Sequence, residues 1–191
     1  MYHIKEKKDK RIQKSVAALS AGLTYCLKKD KLKDISVTDI TKASGVSRAT
    51  FYRLFDTTWD LLLYSCDNMT KELFHEIMAP NRFKTKHEFL LFTISFILEH
   101  ATIIEAVYDN GRPDILGKSL AMFSETVAKF YMKDYDAKDI EYMRYIISAL
   151  LVGGLYVWKN HGQTQTAEQL LEMIEKVSIH FNEKEQDLRI L

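Results

Sequence analysis

Residues 36–55 read SVTDITKASGVSRATFYRLF, and no other stretch narrows the fold of this chain so far. Two short amphipathic segments flank Ser44-Gly45-Val46. Glycine, lacking Cβ, enters the left-handed backbone region easily and so suits the tight turn between two packed helices. Ser36 precedes the first segment with Asp39 three residues on, the spacing of a capping box. Ser47 is a capping residue ahead of the second segment, which runs to about Phe55. The pattern predicts a helix-turn-helix, a unit whose second helix can lie in a DNA major groove and touch base edges.

The rest of the chain is consistent with helices throughout. Two prolines and seven glycines in 191 residues, with 47% hydrophobic residues, leave few breaks. Runs of alternating Val, Ile and Thr that would make strands are missing. The expected fold class is all-α, with about nine helices. They are placed near residues 8–29, 36–43, 47–55, 58–78, 85–100, 101–110, 114–133, 137–161 and 166–183. Ile12, Val16, Leu19, Leu23 and Cys26 form the buried face of the first. Asn110-Gly111-Arg112-Pro113 marks a break, and Gly162 a helix stop.

Charge divides the chain where the motif ends. Residues 1–57 carry 13 Lys/Arg against 6 Asp/Glu, and the remainder 14 against 20. A basic front on an acidic body fits a DNA-binding head of residues 1–57 joined to a non-DNA-binding trunk of residues 58–191. The boundary falls at the fourth helix, so that helix ties head to body. The longest uncharged run, Tyr145 to Trp158, is 14 residues and reads as a buried helix rather than a membrane span. Cys26 and Cys66 sit in apolar patterns without a CxxC partner, as expected of a cytoplasmic, reduced protein.

Chemistry-bearing motifs point away from catalysis. HExxH, P-loop and GxSxG sequences do not occur, and the six histidines lack ligand spacing. The expectation is no enzyme, no metal and no cofactor.

The front end resembles the DNA-binding domain of the tetracycline-repressor (TetR) family. The resemblance rests on Ser36-Val37-Thr38-Asp39-Ile40, Ala43-Ser44-Gly45-Val46-Ser47 and Thr50-Phe51-Tyr52-Arg53-x-Phe55, about 50 residues followed by a long fourth helix. It implies a homodimeric transcription regulator, usually a repressor, that binds a double-stranded DNA operator and is released by a small-molecule effector. Carried over by position, Thr38 meets phosphate or a base edge, and Arg48, Ala49 and Thr50 face base edges. Tyr52 meets a phosphate, and Arg53 a base or the backbone. Arginine suits bidentate contact with guanine. Leu54 and Thr58 stand where the family often carries polar phosphate contacts. That departure motivates an alternative within the family, a co-regulator that docks another protein.

In the body, Phe92, Phe96, His100, Tyr108, Met122 and Phe123 could line an apolar effector pocket with a few orienting polar groups, or could be plain core. Leu150, Gly153 and Gly154, with Leu170, Ile174 and Val177 of the last helix, are the expected dimer contacts, because small residues permit close helix approach. An intramolecular seam is the alternative.

Overall fold

The computed structural model describes His3 and residues 9–80, 82–121 and 136–183. Every regular element among the described residues is helical. In chain order these are α1 (Lys10–Leu27), α2 (Val37–Ser44), α3 (Arg48–Leu54), α4 (Thr58–Ile77), α5 (Lys86–Glu99), α6 (Ala101–Asp109), α7 (113–121), α8 (Ala137–Asn160) and α9 (Ala167–Glu183), with a 3-10 turn at Leu32–Asp34.

Local chemistry sets the ends of the first helices. The Asp9 carboxylate accepts the Arg11 amide at 2.8 Å and opens α1. Ser36 and Asp39 form the expected reciprocal box at α2, with the Asp39 amide 3.2 Å from Ser36 Oγ and the Ser36 amide 2.9 Å from the Asp39 carboxylate. The Ser36 hydroxyl also donates to the Asp39 carboxylate at 2.5 Å, and this bond foremost, with that of the Ser36 amide, holds the Asp39 carboxyl below its ordinary value. Gly45 turns the chain in the left-handed region at φ 67°, and Ser47 caps α3. A second box, Thr57 with Asp60, opens α4 and escaped the sequence reading.

Helix α1 lies along α2 and packs on α3 and α4, and α2 packs on α3. The crossing is close at Gly22. A Cβ placed there would sit 2.9 Å from the Ile40 carbonyl oxygen and 2.9 Å from Ser44 Cβ. Gly22→Ala gains about 1 kcal/mol of helix propensity. Against that, overpacking typically costs about 1–3 kcal/mol, and here the obstacle is backbone, which cannot rotate away. We expect a net loss, read as a lower urea midpoint at unchanged slope. A midpoint at or above wild type would show that α1 and α2 part freely.

One apolar cluster runs from Leu19, Leu23, Phe51 and Phe55 through the buried face of α4 (Leu61, Leu62, Cys66, Met69, Leu73) to Ile104, Leu116 and Trp158. Helix α4 thus contributes to packing at both ends of the molecule. Helices α5 and α6 meet at a 63° bend. His100 sits at that junction, its Nδ1–H donating to the Phe96 carbonyl at 2.8 Å and its ring stacked on Phe96 at 4.4 Å. Helix α6 is bolted to α8 by the Tyr108 hydroxyl, which donates to the Val152 carbonyl, and by Lys159 to Asp109 at 2.8 Å. Gly162, at φ 75°, ends α8 as its position in the sequence suggests.

A small second cluster joins α5 to α9, with Ile94, Ala167 and Leu171 buried and Leu90, Leu91, Leu98 and Leu170 packed around them. The inward seam of α9 is therefore centred on Ala167 and Leu171. The stripe through Leu170 and Ile174 lies one step round the helix. Among the described residues no single helix is long and apolar enough to cross a membrane.

Candidate nucleic-acid interface

Helix α3 divides its side chains sharply. Phe51 and Leu54 point into the core, followed by buried Phe55, and the Phe51 ring meets that of Phe55 at 5.8 Å. Arg48, Ala49, Tyr52 and Arg53 face outward, with Tyr52 about half exposed at 49%. Among the described residues the ion-paired arginines are Arg82 and Arg112, so the Arg48 and Arg53 guanidinium groups are in no ion pair. Both keep their donors for an external acceptor.

Thr50 is half-buried, and its orientation is set from outside the helix. The Ser47 hydroxyl accepts the Thr50 amide at 3.2 Å and donates to Thr50 Oγ1 at 3.0 Å. Thr38 lies in the first turn of α2 and is also half-buried. Lys10, Arg11 and Lys14 are exposed on the first turns of α1. These three packed helices carry exposed cations outside any ion pair, together with hydroxyls and the Tyr52 phenol.

The sequence reading did not single out His3. Its backbone N–H donates to the Leu54 carbonyl at 2.8 Å, and its ring Nε2 donates to the Asp56 carboxylate at 2.9 Å. His3 is thereby fixed to the end of α3. Fifty-three residues separate His3 from Asp56, so no local pattern announces the pair.

In the body, Phe83, Phe92, Phe96 and His100 form a continuous row of rings at 5.3, 6.0 and 4.4 Å. The Arg82 guanidinium lies 4.5 Å from the Phe92 ring centre. Of the expected pocket residues Phe96 borders a cavity of about 10 Å³, lined also by Met69, Thr70, Ile104, Leu116 and Leu155. That is room for about one water, whereas small-molecule pockets run to about 300–1,000 Å³. His100 Nδ1 and the Tyr108 hydroxyl each bond a main-chain carbonyl within the fold. Met122 and Phe123 lie outside the described residues. Cys66 is fully buried, and burial pushes its thiol up to about 12, so it carries no thiolate near neutral pH.

Helix α8 leaves a broad apolar face uncovered. Tyr142, Tyr145, Ile146, Leu150, Tyr156 and Val157 are all more than half exposed, Leu150 at 70%. Gly153 and Gly154 lie exposed among them, with nothing within 4 Å of a Cβ built at either. Helix α9 adds exposed Met173 and Ile174, while Leu170 is half-buried. The Val177 side chain lies outside the described residues.

Comparison with solved structures gives whole-chain likenesses. Lin0861 from Listeria innocua superposes with a TM-score of 0.69 at 16% identity, covering 94% of this chain and 97% of its own. A TetR transcriptional regulator from Streptococcus agalactiae gives 0.56 at 23% identity, covering 87% and 94%. The TetR family repressor AlkX from a Dietzia species, implicated in biodegradation of n-alkanes, gives 0.59 at 15% identity, covering 88% and 95%. This is the fold of TetR-family regulators. No family model and no curated protein matches the sequence itself. At these identities the TetR likeness speaks for the architecture, and the helix-turn-helix at α2–α3 is the part of it that the sequence motifs had already indicated.

Proposed function

We propose that the protein is a ligand-responsive transcriptional regulator, a repressor that binds a palindromic DNA operator as a homodimer and releases it on binding a small-molecule effector. The observation that carries this reading is the outward row on α3, with Arg48 and Arg53 unpaired beside Tyr52 and backed by Phe51 and Phe55. In this reading residues 1–57 are the DNA-binding head and residues 58–191 the ligand-binding and dimerisation body. Arg48, Ala49 and Thr50 contact base edges, Thr38 and Tyr52 phosphate, and Arg53 either. A two-fold dimer would present two copies of α3 to successive major-groove half-sites.

The experiment is selection from a random duplex library at fixed salt, repeated with Arg48→Ala. Enrichment of a palindrome is expected. The variant should lose about 1–3 kcal/mol, or about 5- to 150-fold in affinity, at one base position and relax specificity there. Tyr52→Phe should weaken all sequences alike. Unchanged affinity and preference in Arg48→Ala would remove α3 from the interface.

An effector enters this reading only by parting α4 from α6 and α7, where the cavity now measures about 10 Å³. That closed packing favours a second reading, a family-like co-regulator whose body docks another protein. A folded chain that enriches no duplex at low salt, yet co-purifies with one protein in stable stoichiometry, would select it.

A further inference from the structure

We propose that this protein reads a thymine methyl group in the major groove through Ala49 and the Thr50 methyl, and that Ser47 is the residue that positions Thr50 for it. The inference rests on the DNA-binding reading above. Ala49 is exposed in the first turn of α3 and has no side-chain atom beyond Cβ. It can therefore meet a base edge only by apolar contact. The thymine C5-methyl is the apolar group that bases present in the major groove, among donors and acceptors otherwise. A helix that opens Arg-Ala-Thr thus sets one polar reader, Arg48, beside a methyl.

Thr50 carries both a hydroxyl and a methyl, and Ser47 decides between them. Ser47 Oγ accepts the Thr50 amide at 3.2 Å, which seats the two residues against each other. The hydrogen bond between their hydroxyls, at 3.0 Å, holds Thr50 Oγ1 back toward the start of the helix. On a β-branched side chain, fixing Oγ1 fixes Cγ2 as well. The hydroxyl is thus engaged within the fold, and the methyl is the part of Thr50 left for a base. The roll of α3 is set from beneath by Phe51 and Leu54, 0% and 2% exposed. Ser47 acts through Thr50, which makes it a positioning residue and not a reader of bases.

The test takes the full chain and the duplex enriched by selection, with its thymines replaced one at a time by deoxyuridine. That base keeps the pairing and lacks only the C5-methyl. Affinity is read by fluorescence anisotropy at fixed salt, and stability by thermal unfolding. In wild type, uracil at one position of the half-site should weaken binding about fourfold, the worth of burying one methyl-sized group. Thr50→Ser, which keeps the hydroxyl and removes the methyl, should move that thymine-to-uracil ratio toward one. Ser47→Gly should do the same with little change in melting temperature, because glycine caps a helix nearly as well as serine. A merely structural Ser47 would weaken both duplexes equally and leave the ratio intact. A wild-type chain indifferent to uracil at every position overturns the inference, as does a ratio unchanged in either variant. A folded chain that enriches no duplex fails earlier, at the DNA-binding reading itself, and the inference falls with it.

Discussion

Phe51→Ala should lower the unfolding free energy by about 3–5 kcal/mol, the range for deleting a fully buried aromatic ring. Phe51 is 0% exposed, packed edge-on to Tyr52 at 5.5 Å and tilted against Phe55 at 5.8 Å. A typical domain has only about 5–15 kcal/mol in hand, so this loss is a large fraction of the total. The cavity would open directly beneath the outward row of α3. Arg48 and Tyr52 would then be carried on a helix with no fixed bearing against α2. DNA affinity should fall by more than with either surface substitution, even where most of the chain remains folded. Denaturant unfolding and duplex binding on the same preparation check both parts. A loss below about 1.5 kcal/mol would mean that neighbouring side chains collapse into the space and that Phe51 does not brace the helix.

Leu150→Glu should convert a dimer into a monomer. At 70% exposure Leu150 lies in a face that includes Tyr142, Ile146 and Val157 and is flanked by Gly153 and Gly154. So many large apolar side chains on one uncovered face mark an interaction surface more often than a solvated one. In a two-fold pairing each substitution enters the interface twice, so two carboxylates would be introduced into an apolar contact. Light scattering at micromolar protein should give a dimer mass for wild type and a monomer mass for the variant, with helical content unchanged. Wild-type protein that is already monomeric would refute the homodimer, and a variant that stays dimeric would move the contact off α8.

What was legible in the sequence was what neighbouring residues decide among themselves. Ser36 with Asp39, Gly45 and Gly162 signal helix ends within four positions, and the structure uses each of them. Buried faces were legible where bulky residues recur, as at Val16, Leu19 and Leu23. The α9 seam was displaced because Ala167 gives almost no apolar signal, although its small side chain lets α9 approach α5. His100 stood out among apolar neighbours and invited a ligand-binding role. Its Nδ1 hydrogen bond to the Phe96 carbonyl and its seat at the bend between α5 and α6 are set by three-dimensional direction, which no local pattern announces. His3 and Asp56 were beyond reach, since nothing local links residues 53 positions apart.

The uninterrupted core along α4 bears on any attempt to exchange the first three helices between proteins of this fold. Leu61, Leu62 and Cys66 pack in the same cluster as Phe51 and Phe55, while Met69 and Leu73 continue it to Ile104. A graft joined at residue 57 would set a foreign head on a helix shaped for this one, with mismatched volumes at the junction. The transplantable unit is α1–α3 together with the side chains of the first turns of α4, and the seam for such a chimera belongs inside that helix.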